Sequence, residues 1–188
     1  MRAGVKPESV VSAAADIANR SGWGEVTLAN VAGLLGIKTP SLYNHISGLD
    51  DLRQKLAVHA SRLLFDRMID AAVGQTSTEA FLAVGASYVR FAREQPGLYE
   101  AFYRIGAVRP PEYEDIAQRI LQLLYRLLEP FKLDEEQAVH AVRGLRSLLH
   151  GFASLEAAEG FRMSVDKDVS LRFIIVRYME GIQSPSDR

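Results

Sequence analysis

Thr27-Leu28-Ala29-Asn30-Val31-Ala32-Gly33-Leu34-Leu35-Gly36-Ile37-Lys38-Thr39-Pro40-Ser41-Leu42-Tyr43-Asn44-His45 is the stretch that decides how this chain folds. Thr27 is a good N-cap residue type, so a helix is predicted from Leu28 to Leu35, ending at Gly36. Gly36 takes positive φ at the corner without the steric cost that a Cβ brings. The next helix starts at Thr39 with Pro40 in its first turn, where a missing N–H leaves no hydrogen bond unmade. It closes near His45-Ile46 because Ser47-Gly48 interrupts it. Val31, Leu35, Ile37 and Leu42 are apolar, and Ala32 is small where the two helices must approach. This is the spacing of a helix-turn-helix, whose second helix enters the major groove while the first crosses the backbone.

Two short helices cannot cover their own apolar faces. Upstream, Val10, Ala14, Ile17 and Ala18 form one face of a helix that begins around Pro7 and stops at Ser21-Gly22, and it supplies the third wall. The expected unit is tri-helical. Its outer chemistry suits DNA: Lys38, Thr39, Ser41, Tyr43, Asn44 and His45 carry hydrogen-bonding groups, and no acidic residue lies between Val26 and Leu49. Lys38, the Thr39 and Ser41 hydroxyls and the N–H groups opening the third helix suit phosphate oxygens, while Tyr43 and Asn44 reach base edges or phosphate. Thr27, Pro40 and His45 complete the candidate DNA-binding set. An ordinary helical hairpin is the plain alternative for a glycine between two helices.

The rest of the chain bounds what else it can be. Of 188 residues, 48% are apolar, enough for a sizeable core. Cysteine is absent, which excludes disulfides, thiolate metal sites and a Cys nucleophile, and suits a reducing cytoplasm. The longest stretch free of Asp, Glu, Lys and Arg is the 12 residues from Val26 to Ile37, too short to span a bilayer, and no leader-like apolar region follows Met1. With 22 basic and 23 acidic residues the net charge is -1, so any DNA site is local and its salt dependence moderate. After Gly48, helical patterns run from Leu49 to about Ala72, Thr78 to Glu94, Leu98 to Tyr103, Glu112 to Phe131, Glu135 to about Glu159 and Asp166 to Ile182. The fold class is therefore all-α, a helix-turn-helix domain over residues 1–48 followed by a larger helical bundle over 49–188, about nine helices in total.

The motif resembles the TetR family of regulators. The matching residues are Thr27 through Ala32, Gly36-Ile37, Ser41-Leu42-Tyr43-Asn44-His45-Ile46 and Leu49-Asp50-Asp51-Leu52, tight over Val10 to about Leu56 and in helix layout beyond. The run His150-Gly151-Phe152-Ala153-Ser154-Leu155-Glu156 resembles a C-terminal subtype seen in many such proteins. Ile46 stands where the family usually has Phe, which keeps an apolar plug. Leu49 stands where it usually has a phosphate-contacting Lys, so no DNA role is carried to Leu49. The resemblance implies a cytoplasmic regulator, expected to be a repressor, that binds double-stranded operator DNA as a homodimer and is released by a small-molecule effector.

Within the bundle the resemblance implies both a ligand pocket and a dimer face. Phe81, Tyr88, Phe91, Tyr99, Phe102, Tyr103, Leu124 and His150 are the candidate lining, although aromatic stripes at helical spacing equally describe a packed core. Gly144, Ser147, Gly151, Ser154 and Ala158 draw a stripe of small residues along one helix. With Val169, Phe173, Val176 and Ile182 on the last helix it suits an intersubunit four-helix bundle; Gly144, Ser147, Gly151, Ser154, Phe173 and Val176 are the candidate interface. A central helix within a monomer is the alternative. His45, His59, His140 and His150 show no metal spacing, and no Gly-rich phosphate loop or nucleophile elbow occurs. No catalytic residue, metal or cofactor is expected. An all-helical carrier or enzyme using the bundle cavity, or a helical adaptor, remains as the other class of reading.

Overall fold

In a computed structural model the chain is described over residues 6–183, which form nine α-helices and two 3-10 turns; no strand occurs among the described residues. The helices are α1 (Pro7–Ser21), α2 (Leu28–Leu35), α3 (Thr39–Leu42), α4 (Leu49–Ala72), α5 (Ser77–Glu94), α6 (Pro96–Tyr103), α7 (Pro111–Leu128), α8 (Glu135–Ala157) and α9 (Lys167–Gln183). The chain divides into two compact units. One comprises the described residues of Met1–Leu63 with Glu94–Ala117, the other those of Leu64–Arg93 with Gln118–Arg188. The unit that holds the three N-terminal helices therefore also takes in the start of α4, all of α6 and the start of α7, well beyond the boundary expected at residue 48.

In the first unit the wall expected from α1 forms: Val10, Ala14 and Ala18 are buried with Ala13 and Ala15, against Val26, Val31, Ala32, Leu42 and Ile46. What the periodicity did not reveal is how α6 joins them. Gly97 sits where a Cβ would come within 2.1 Å of the Ala18 carbonyl carbon, so only glycine lets α6 press on the backbone of α1. Asn19 then completes the contact. Its Oδ1 accepts from the N–H groups of Gly97 (3.0 Å) and Leu98 (3.2 Å), and its Nδ2 donates to Gln95 Oε1 at 2.6 Å. The Gln95 side chain does not cap α6 itself, so a residue 78 positions earlier in sequence acts as the cap.

In the second unit Phe81, Val84, Val89, Phe91, Leu145, Leu149 and Ile175 are buried along α5, α8 and α9. Asp134 and Gln137 form a capping box that starts α8. The pattern expected to run unbroken from Glu112 to Phe131 is instead α7 to Leu128 followed by a 3-10 turn, Glu129–Phe131. Pro130 explains the change: it has no N–H to give an α-helical hydrogen bond, and the chain tightens around it. Lys132 follows at φ 53, a left-handed exit made without glycine. Likewise α8 ends at Ala157 rather than near Glu159, because Glu159 turns to φ 54 and Gly160 N–H closes onto Leu155 O at 2.7 Å.

Candidate nucleic-acid interface

The corner between α2 and α3 forms as its sequence requires. Thr27 Oγ1 accepts from Asn30 N–H at 3.1 Å, and Asn30 Nδ2 donates to Glu25 O at 2.8 Å, fixing the start of α2. Thr27 is thus a structural cap as well as a candidate DNA contact. Gly36 lies in the left-handed region (φ 65, ψ 31), and Ile37 N–H reaches back to Ala32 O at 3.0 Å, closing the helix end. Leu42 and Val31 are fully buried, with Ala32 and Ile46 nearly so, which anchors α3 by its inner face.

Helical bonding in α3 ends at Leu42, earlier than the expected His45-Ile46. Beyond it the chain continues in tight turns, with His45 N–H donating to Leu42 O at 2.8 Å. Tyr43, Asn44 and His45 therefore ride on a turn that continues the helix. Asp51 secures the far side: its Oδ2 accepts from Ser47 N–H at 2.8 Å while it pairs with Lys55. Burial raises the Asp51 carboxyl, yet its bonds to Lys55 and Ser47 outweigh that and hold it below the usual carboxylate range. An acid in the first turn of α4 is thus partnered by a cation.

The outer face is left uncommitted. Lys38, Pro40, Ser41, Tyr43 and Asn44 are exposed, Tyr43 to 56%, and Thr39 and His45 are half-buried. Among the described residues, no hydrogen bond or ion pair occupies the side chains of Lys38, Thr39, Ser41, Tyr43, Asn44 or His45. Six polar side chains on one short element, none used by the fold, form a surface for an external polar partner. Leu49 is half-buried at the start of α4 and contributes no charge.

A family model described as the tetracyclin repressor-like C-terminal domain matches residues 81–178. The chain is 40% identical over 182 residues to the uncharacterized HTH-type transcriptional regulator YobS of Bacillus subtilis (strain 168), covering 96% of this chain and 94% of YobS. The chain belongs to the TetR family of transcriptional regulators. A second relative of this TetR chain is the uncharacterized HTH-type transcriptional regulator Rv0681 of Mycobacterium tuberculosis (strain ATCC 25618 / H37Rv), 31% identical over 177 residues, 94% of this chain and 81% of that one. In fold it is similar to a solved protein of unknown function from Rhodococcus sp. RHA1, with a TM-score of 0.84, 17% identity and coverage of 97% and 98%. It is a DNA-binding transcriptional regulator.

The other expected site residues are spread more widely. Tyr99, Phe102 and Tyr103 belong to the first unit, whereas Phe81, Tyr88, Phe91, Leu124 and His150 belong to the second. The first group packs on itself, with Phe102 and Tyr103 ring centroids 5.0 Å apart and Tyr113 Oη donating to Phe102 O at 2.9 Å. In the second group Phe81 and Phe91 are fully buried, Phe81 lies 6.0 Å from the Phe131 ring, and His150 is half-buried. An aromatic stripe read from spacing alone could not separate these two units.

The small-residue stripe of α8 also divides. A Cβ on Gly144 would come 2.6 Å from the Tyr178 hydroxyl, which donates to Ala141 O, so this glycine makes room for α9 of its own chain. Gly151 faces open space, Ser147 and Ser154 are exposed, and Phe173 is 61% exposed beside a half-buried Val176. Val169 and Leu155 are also exposed apolar residues of α9 and α8. Among the described residues no His, Asp and Glu cluster has metal-site geometry, and no helix is long and apolar enough to cross a membrane.

Proposed function

We propose that this TetR-family regulator is a cytoplasmic homodimeric repressor that reads double-stranded operator DNA through α3 and its following turn, and that a small-molecule effector releases it. The observation that carries the reading is the set of six exposed or half-exposed polar side chains that the fold leaves unpaired, in a stretch without an acidic residue from Val26 to Leu49. Lys38, Thr39 and Ser41 hold phosphates, and the Thr27 hydroxyl still has a proton to donate beside its capping bond. Asn44 and Tyr43 reach base edges, Pro40 offers apolar surface to a thymine methyl, and His45 braces the turn or meets a phosphate.

Dimerisation rests on the apolar surface of Phe173 and Val176 with the small residues Ser147, Gly151 and Ser154, joined by the exposed Val169 and Leu155. Under two-fold symmetry the same patch meets itself, and two recognition elements then fall on half-sites about 34–36 Å apart. Effector binding in the second unit favours a geometry in which that spacing is lost. A gel-shift with the upstream region of the protein's own gene tests the reading. A specific complex at low salt that survives excess random DNA is expected; no specific complex overturns it.

A further inference from the structure

Between α5 and α9, within the second unit, lies a cavity of about 410 Å³ that no role so far accounts for. Its size falls inside the range of small-molecule sites. The two helices run antiparallel there: Arg93 Nη1 meets Asp168 Oδ1 at 2.6 Å, while at Gly85 a Cβ would come 2.7 Å from Ile175 Cδ1. The close approach at Gly85 fixes the floor. Ala83 and Ala86 are small, and the space they leave is walled by Leu82, Leu171 and Ile175.

The rim is cationic. Arg90 and Arg172 both line the cavity and are both exposed, and neither has an ion pair or hydrogen bond among the described residues. The antiparallel register sets them within about a turn of each other across the cleft, because position 90 falls between the Arg93–Asp168 pair and the Gly85–Ile175 contact, as does position 172. The third arginine is already occupied, held by Glu156 and Asp168 at 2.6 Å each. Glu79, the acid at the opposite end, is turned into the start of α5, where it accepts from Thr76 Oγ1 at 2.8 Å. An apolar floor with two uncommitted guanidinium groups at one end matches a molecule with one charged end.

We infer that the α5–α9 cleft binds a monocarboxylate with an apolar tail, its carboxylate held between Arg90 and Arg172 and its tail lying over Ala83, Ala86 and Ile175. Guanidinium groups suit this head because their donors match a carboxylate in bidentate geometry and keep their charge at any working pH. The inference rests on the effector-responsive reading above and names the chemical class of the effector.

Calorimetric titration of octanoate, and separately of 1-octanol, into the full-length protein without DNA tests it. Octanoate is expected to bind once per chain and about tenfold to a hundredfold more tightly than the alcohol, which has the same tail without the charge. In Arg90→Ala/Arg172→Ala, whose side chains are exposed and make no ion pair or hydrogen bond among the described residues, octanoate should fall to the level of the alcohol. Ala86→Phe, which fills the floor and leaves the charges, should weaken both. Equal affinity for acid and alcohol in the wild type, unchanged octanoate binding in the double variant, or no octanoate binding at all overturns the assignment. A gel-shift run in parallel separates the two failures: absence of an operator complex removes the regulator reading, whereas a complex with a silent octanoate titration removes only the cleft.

Discussion

Replacing Asn19 with Ala removes the contact by which α1 caps α6, and the structure sets the size of the effect. Asn19 Oδ1 serves two N–H groups in the first turn of α6, on the buried residues Gly97 and Leu98, where no helix carbonyl can reach them. Loss of an N-cap costs about 0.5–2 kcal/mol. A buried donor left unpaired costs about 1–3 kcal/mol. Gln95 also loses its partner. Allowing for some rehydration, about 3 kcal/mol is expected. For a chain of this length that corresponds to a fall in Tm of roughly 6–12 °C, measured by circular dichroism at fixed protein concentration so that any dimer linkage is constant. Asn19→Asp keeps the acceptor and places a negative charge at the α6 N-terminus, so it should lose about 1 kcal/mol or less. Asn19→Ala within about 0.5 kcal/mol of the wild type, or Asn19→Asp as damaging as Asn19→Ala, would refute the capping argument.

Two further outcomes follow from the proposed assembly on DNA. Lys38→Ala should weaken operator binding evenly across sequences and flatten the plot of log affinity against log salt by about one unit per subunit; an unchanged slope removes Lys38 from the phosphate contacts. Phe173→Glu, which places a charge on the exposed apolar surface of α9, should convert a dimer to a monomer in sedimentation velocity while the helical signal is retained, and an undisturbed dimer would move the interface elsewhere.

The helix layout was largely legible because the chain marks its own breaks. Thr27 caps α2, Gly36 turns left-handed and Pro40 opens α3 where the residue types said they would. The misplaced ends have separate causes: Pro130 tightens the end of α7 into a 3-10 turn, Glu159 takes positive φ after α8 without being glycine, and α3 passes into tight turns after Leu42. The candidate interface was legible for a different reason. Lys38, Thr39, Ser41, Tyr43, Asn44 and His45 are hydrogen-bonding residue types gathered within eight positions around the apolar anchor Leu42, and that gathering is visible in sequence.

Contacts over long separations left no such trace. Gly97 reads as a turn residue after Pro96, yet its lack of a Cβ is what admits α6 to the backbone of α1. Gly144 reads as part of a stripe for a second chain, yet Tyr178 of the same chain fills the space. The aromatic residues of α5 and α6 look continuous in sequence and belong to separate units. Arg90 and Arg172 are more than 80 positions apart, and only the antiparallel register of α5 and α9 brings them to one cleft.

The central claim is that side chains on α3 and its turn read DNA sequence, and Asn44→Ala tests it most directly. The Asn44 side chain is exposed and bonds to no other described residue, so its truncation should leave the melting curve unchanged. Fluorescence anisotropy with a labelled duplex from the upstream region, against a random duplex of equal length, reads the specificity ratio. Asn44→Ala is expected to lower this ratio by about tenfold to a hundredfold while affinity for random DNA barely changes. A variant that binds both duplexes as the wild type does would contradict it.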